Sequence, residues 1–233
     1  MPSFRVDKII SASGLYSRRE AATLIKLGRV AVSGNVVMSG AEKLDPEKET
    51  VSIDGKCLEY GKYRYFMLNK PSGCVSATSD RCEKTVMDLL DDKHSALGLF
   101  PAGRLDKDAE GLMILTNNGS LAHKITSPGK KVGKKYFVQI DGNVSDDDIK
   151  AFADGLVLGD GTRCLPALLE PKADGAYVTI YEGKYHQVKR MMAAVGKPVK
   201  YLKRIAIGGI KLDDNLMPGE YRELRKEDFS SFK

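Results

Sequence analysis

Apolar residues fall at helical spacing twice near the start of the chain, at Val6, Ile9 and Ile10 and again at Ala21, Leu24 and Ile25. This predicts two short amphipathic helices, over residues 5–11 and 17–27. Ser17, followed three residues later by Glu20, forms the pattern of a capping box and marks where the second helix begins. The period then shortens: Val30-Ala31-Val32 and Val36-Val37 flank Ser33-Gly34-Asn35, a turn composition that pairs the two runs as a small hairpin. With their apolar faces turned inward, the helices present Arg5, Lys8, Arg18, Arg19 and Lys26 outward, and Arg29 follows just after them.

Residues 41–62 are rich in Glu, Lys, Asp and Gly, interrupted by a short strand at 50–53 and an Asp54-Gly55 turn. The expected division is a small domain over 1–58, a linker at 59–62 and a larger domain over 63–233. In the larger part, strands are expected at 63–69, 74–77, 112–115, 134–140, 176–181 and 199–205. Helices are expected at 88–91, 120–125 and 186–195, the last stopped by Gly196. Ser145 and Asp148 supply a further capping box for a helix ending at Gly155, and Asp160-Gly161 reads as a hairpin turn. Strands outnumber helices and several are joined by tight turns. The fold class expected is α+β, with a mixed, mainly antiparallel sheet flanked by helices.

Charge narrows the partner. A net charge of +6 and a pI near 9.0 favour a polyanion, and nucleic acid is the first to consider. The four cysteines, Cys57, Cys74, Cys82 and Cys164, form no C-x-x-C pair, and His94, His123 and His186 are far apart in the sequence, so no metal site is expected. No apolar run is long enough to span a bilayer, and the first residues lack the form of a secretory signal. A cytoplasmic protein with reduced thiols and no membrane partner is expected.

The stretch 103–119, GRLDKDAEGLMILTNNG, sets Asp106 on a loop just ahead of an apolar strand, where a carboxylate can be held firmly and still face a cleft. An Asp in such a loop also serves as a turn cap, and the stretch by itself leaves both readings open.

Further segments bear on that choice. The two basic helices followed by GRVAVSGNVV resemble the alpha-L RNA-binding module named after a ribosomal small-subunit protein, over roughly residues 4–58. RYFMLNKPSG at 64–73, the Asp106 stretch, KKYFV at 134–138 and EGKYHQVKRMMAAVG at 182–196 together resemble the RsuA family of bacterial ribosomal RNA pseudouridine synthases. The resemblance implies the pseudouridine synthase fold and isomerisation of one uridine to pseudouridine without a cofactor. Asp106 is implied as the catalytic acid, acting on the anomeric carbon or by elimination. It further implies that Arg190 pairs with Asp106, with Lys189 as the alternative one position away, and that Tyr136 stacks on the target base. Leu202 is expected to form the opposite wall of the base pocket and Arg104 to guard substrate entry. Lys70 belongs to the family pattern and is grouped with the substrate-binding residues. His186 and Gln187 either touch RNA or orient the arginine.

Lys130, Lys131, Lys134 and Lys135 are expected to seat the RNA backbone, as are Arg5, Lys8, Arg18, Arg19, Lys26 and Arg29 in the small domain. Asp108 and Glu110 read as loop surface. The expected partner is 16S rRNA or a small-subunit assembly intermediate, and the expected state is a monomer. Action on 23S rRNA, or a noncatalytic role in ribosome assembly, are the competing readings.

Overall fold

The computed structural model of the chain describes residues 4–45, 48–58, 63–95 and 97–229. The linker expected at 59–62 lies outside them. The chain folds as two compact units, one comprising Met1–Arg64 with Leu90–Leu99 and the other Tyr65–Leu89 with Phe100–Lys233.

In the first unit β1 (Phe4–Arg5) leads into α1 (Val6–Ala12) and α2 (Arg18–Lys26). Then come β2 (Val30–Val32), β3 (Asn35–Val36), β4 (Lys43–Leu44), β5 (Val51–Ile53) and β6 (Lys56–Cys57), and α3 (Asp92–Ser95) joins from later in the chain. The capping box at Ser17 is formed: its hydroxyl accepts from the Glu20 amide while the Glu20 carboxylate accepts from the Ser17 amide. Val6, Ile9 and Ile10 pack with Ala21, Leu24 and Ile25 over Val30, Val51 and Ile53, so the two helical stripes and the small sheet share one core. The sheet runs β3-β2-β5-β6, and both of its tight turns, Ser33-Gly34 and Asp54-Gly55, have positive φ at both residues, as a two-residue hairpin turn requires. Arg5, Lys8, Arg18, Arg19, Lys26 and Arg29 are all exposed. Arg5 is paired with Asp7 and Arg29 with Asp54, surface contacts too weak to withhold either cation from an anionic ligand.

The second unit contains β7 (Tyr65–Lys70), β8 (Phe100–Pro101), β9 (Glu110–Thr116), α4 (Gly119–Thr126), β10 (Lys134–Ile140), α5 (Asp146–Asp154) and β11 (Leu168–Lys172). It continues with β12 (Gly175–Ile180), α6 (Gln187–Ala194), β13 (Val199–Ile207), β14 (Ile210–Lys211) and β15 (Tyr221–Glu223). These strands make one sheet in the order β11-β12-β10-β13-β9-β7-β15, with β14 on β13 and β8 on β9. The fold is α+β: the sheet pairs antiparallel everywhere except at β9–β13. The capping box at Ser145 and Asp148 opens α5 as its sequence predicts.

Three expectations are corrected. Residues 74–77 make only a single bridge, Val75 to Thr85, and residues 86–89 form a 3-10 turn where a helix was expected at 88–91. Asp160-Gly161 turns between residues joined only by the isolated bridge Val157 to Arg163. The strands β11 and β15 give no clear signal, one carrying Pro171 and the other reading Tyr-Arg-Glu; both lie at sheet edges, where proline and polar residues are tolerated.

The parallel β9–β13 seam joins the two halves of the sheet, pairing Arg204 with Gly111. Gly111 has φ +100°, and a Cβ there would stand 2.3 Å from the Arg204 carbonyl oxygen. Only glycine lets the backbones approach this closely. Gly111→Ala is therefore expected to lower the unfolding free energy by more than about 2 kcal/mol, read by urea denaturation of the full chain. A change within error would contradict the seam's dependence on this residue.

Candidate active site

Strand alternation in β10 and β13 builds the floor of a cavity of about 760 Å³. Tyr136 lies opposite Arg204 in the β10–β13 register, Lys134 is two residues before Tyr136, and Leu202 is two before Arg204. All four point to the same face, all are buried, and all line the cavity. Asp106 and Arg104 enter from the loop ahead of β9, while His186 and Gln187 enter from the start of α6. Tyr136 and Leu202, each 6% exposed, thus supply an aromatic and an aliphatic surface in the same cavity as Asp106.

The loop carrying Asp106 is held by its carbonyls. The Lys70 ammonium, wholly buried, donates to the carbonyls of Pro71 at 3.0 Å, Lys107 at 3.2 Å and Ala109 at 2.8 Å. The Ser76 hydroxyl donates to Leu105 O at 2.7 Å and accepts from Leu105 N at 2.9 Å. Arg204 donates through Nε to Leu112 O at 2.8 Å and through a terminal nitrogen to Arg104 O at 3.1 Å. The Asp106 carbonyl accepts from Ala109 N, and Gly73 N adds a second donor to Lys107 O. On both sides of Asp106 the backbone is therefore fixed by groups from β7, β13 and the segment after β7, while its own side chain stays one-quarter exposed.

That geometry reassigns Lys70. Grouped with the substrate-binding residues from the sequence, it spends its three N–H donors on backbone oxygens and is closed to solvent. Burial pushes its ammonium below the ordinary lysine value, and the carboxylates of Asp108, Glu110 and Asp106 work against that shift.

Two nitrogen groups approach the Asp106 carboxylate from the start of α6. His186 Nε2 is 3.5 Å from one oxygen and Lys189 Nζ is 3.5 Å from the other. Arg190, the partner expected from the sequence, goes elsewhere: it pairs with Asp160 at 2.5 Å and donates to Tyr185 O at 3.4 Å. The reason is helical periodicity, since one residue turns the side chain by about 100° around α6 and takes Arg190 off the face that looks at the loop. The Asp160 carboxyl is pushed down to about 2, first by the Thr162 hydroxyl and amide and then by Arg190. Lys189 also grips Asp108 at 2.6 and 2.8 Å, holding that carboxyl below its usual range. Asp108, read as loop surface, is exposed but shares its cation with Asp106. Glu110 accepts a hydrogen bond from the Tyr201 hydroxyl.

Gln187 lines the cavity, but its amide is committed internally. It donates to Glu182 at 2.8 Å and accepts from Lys184 N at 2.9 Å, which closes the turn before α6 and leaves it a positioning group instead of an open ligand contact. His186 at the N-cap has φ +48°, and its ring stacks on Tyr185 at 3.8 Å between centroids. Arg104 is exposed at the cavity wall. In the expected lysine cluster, Lys130 and Lys131 are exposed. Lys134 is 5% exposed and faces the cavity, and Lys135 on the other face pairs with Glu170. Alternation along β10 divides what looks like one basic run. Sequence reasoning missed Ser76, which carries no signal, and Arg204, which did: it is two residues from Leu202 on a strand and so must share its face.

Lys70→Met is expected to leave the Pro71 and Ala109 carbonyls without that donor and to lower stability by about 1–3 kcal/mol. Hydrogen exchange of the amides in residues 104–109 should quicken; exchange at the native rate would show that Lys70 does not hold the loop.

Comparison with known proteins agrees with this architecture. Residues 64–194 match the family model described as RNA pseudouridylate synthase, and residues 4–49 match the S4 domain. The chain is 45% identical over 231 residues to the Escherichia coli protein named ribosomal small subunit pseudouridine synthase A, covering 97% of this chain and 99% of that one. It is 43% identical over 229 residues to a Bacillus subtilis protein named as an uncharacterized RNA pseudouridine synthase, covering 96% of each. A solved structure titled as a pseudouridylate synthase aligns with a TM-score of 0.68 at 37% identity, over 99% of this chain and 100% of its own. With a family model over more than half its length and relatives matched nearly end to end, the chain belongs to the RNA pseudouridylate synthase family and carries an S4 domain ahead of its synthase domain.

Proposed function

We propose that this chain isomerises one uridine of small-subunit 16S rRNA to pseudouridine, with Asp106 as the catalytic acid. The observation that carries the reading is the convergence of Asp106, Tyr136 and Leu202 on one cavity, with Lys189 and His186 beside the carboxylate. Tyr136 and Leu202 take the two faces of the flipped base, and Asp106 is aimed at the sugar. Lys189 is the cation beside the Asp106 carboxylate, and Arg190 supports α6 through Asp160. Arg104 at the cavity wall contacts the strand from which the base has left. The choice of 16S rRNA rests on the names of relatives such as the Escherichia coli and Yersinia pestis proteins, each 45% identical.

We further propose a separate task for residues 1–58, which belong to the first compact unit together with Leu90–Leu99. The exposed Arg5, Lys8, Arg18, Arg19, Lys26 and Arg29 neutralise phosphates and supply affinity with little base reading. The protein acts as a cytoplasmic monomer; among the described residues no helix is long and apolar enough to cross a membrane.

Incubation with purified 16S and 23S rRNA, followed by carbodiimide treatment and primer extension, tests the activity. A new pseudouridine in 16S rRNA is expected, with the rate falling more than about 10³-fold in Asp106→Asn. Modification confined to 23S rRNA would overturn the substrate, and none in either RNA would overturn catalysis on free RNA. Arg18→Ala with Arg19→Ala should weaken binding at every sequence tested and reduce the salt slope of log affinity by about one for each phosphate no longer neutralised, while an unchanged slope would remove these residues from the RNA interface.

A further inference from the structure

Lys134 and Arg204 are 5% and 1% exposed, both line the cavity that holds Asp106, and neither forms an ion pair among the described residues. The two differ in how well they are satisfied. Arg204 gives hydrogen bonds to the carbonyls of Leu112 and Arg104 and reaches the Met113 sulfur, so its charge is spread over protein acceptors. Lys134 makes one long bond, 3.3 Å to Val132 O, with three donors at its disposal. A buried ammonium in that state is expensive, and a second cation on the adjacent strand makes it more so. Burial first, and then Arg204, pulls the Lys134 amine below its ordinary value. Such a group is relieved by an anion or by carbonyl oxygens entering the cavity.

The position of Lys134 says which. It stands two residues before Tyr136 on the same strand face, with Leu202 and Arg204 completing the patch on β13. Whatever lies against Tyr136 and Leu202 shares its cavity with Lys134, whose ammonium has donors left over after its bond to Val132 O.

We propose that Lys134, backed by Arg204, forms an anion subsite in the cavity floor that hydrogen-bonds the carbonyl oxygens of the uracil ring and stabilises the negative charge the base acquires on detachment. The inference rests on the pseudouridine synthase reading of the site. When the C1′–N1 bond breaks, its electron pair leaves with the base, and the resulting uracil anion carries charge at N1 delocalised to O2 and O4. Asp106 supplies a pair to C1′ or removes a ribose proton; the base departs as the same anion either way. Rejoining makes a bond from C5 to C1′, releases the C5 proton to solvent and returns a proton to N1, so the product is an isomer of the substrate. Donors fixed at the ring oxygens act on the charged base more than on the neutral one and so lower the barrier.

The test uses a short RNA spanning the site mapped with the native enzyme, made with either uridine or 5-fluorouridine at the target. Fluorine at C5 withdraws electrons and makes the base a better leaving group, so it needs less help from the protein. Single-turnover loss of the target nucleoside is followed by mass spectrometry for the native chain and Lys134→Met. Lys134→Met is expected to slow the uridine substrate about 10²-fold, with the 5-fluorouridine substrate losing at least about tenfold less. Both rates are read on one protein preparation, so partial misfolding cancels in their ratio. Equal losses on the two substrates, or no loss on either, would overturn the subsite while leaving the synthase reading standing. A native chain that modifies no RNA, whether free or in a small-subunit assembly intermediate, would overturn the synthase reading itself, and this inference with it.

Discussion

The Asp106 carboxylate faces a cavity from a loop whose carbonyls are tied down by buried donors. Lys70, Ser76 and Arg204 reach the loop from separate parts of the synthase unit, and among them they take the oxygens of Arg104, Leu105, Lys107 and Ala109. A loop free to choose its conformation would cost entropy each time it aimed a carboxylate. Here that cost is met in folding, and the strength of the grip comes from two cations placed where water cannot compete.

The same arrangement explains why the β9–β13 seam is parallel and closed by glycine. Arg204 can reach back to Arg104 and Leu112 because its strand lies against the start of β9, and Gly111 permits that approach. Tyr136 and Leu202 sit on strands joined to that seam, so the cavity floor and the acid-bearing loop belong to one hydrogen-bonded frame. The third wall, α6, is attached through the buried Glu182–Gln187 contact and through Lys189 and His186 at Asp106. Lys189 is closer to Asp108 than to Asp106, so the two acids share one cation. A site assembled this way is preorganised for the charge that chemistry at a sugar or a base creates.

Much of this was legible in the residues. Alternation in KKYFVQI, the capping boxes at Ser17 and Ser145, and the glycine-bounded Asp106 stretch locate β10, α2, α5 and the cavity loop. Edge strands were not legible, because β11 and β15 bury too little to need an apolar pattern. Side-chain destinations were the harder part. Lys70 and Gln187 look like exposed polar ligands in a string of letters and are internal ties in three dimensions. A one-residue change around α6 decides that Lys189 meets Asp106 while Arg190 meets Asp160. Arg204 was within reach of pattern reasoning, yet a buried arginine without an acid partner is a rare arrangement to read from a strand.

The most direct measurement is a crystal structure of the chain with an RNA carrying 5-fluorouridine at the modified position, where fluorine replaces the C5 hydrogen that must leave as a proton and so holds the reaction before its last step. The fluorinated base should lie between Tyr136 and Leu202, with the Asp106 carboxylate facing the ribose C1′. A base bound outside this cavity, or a ribose turned away from Asp106, would contradict the account.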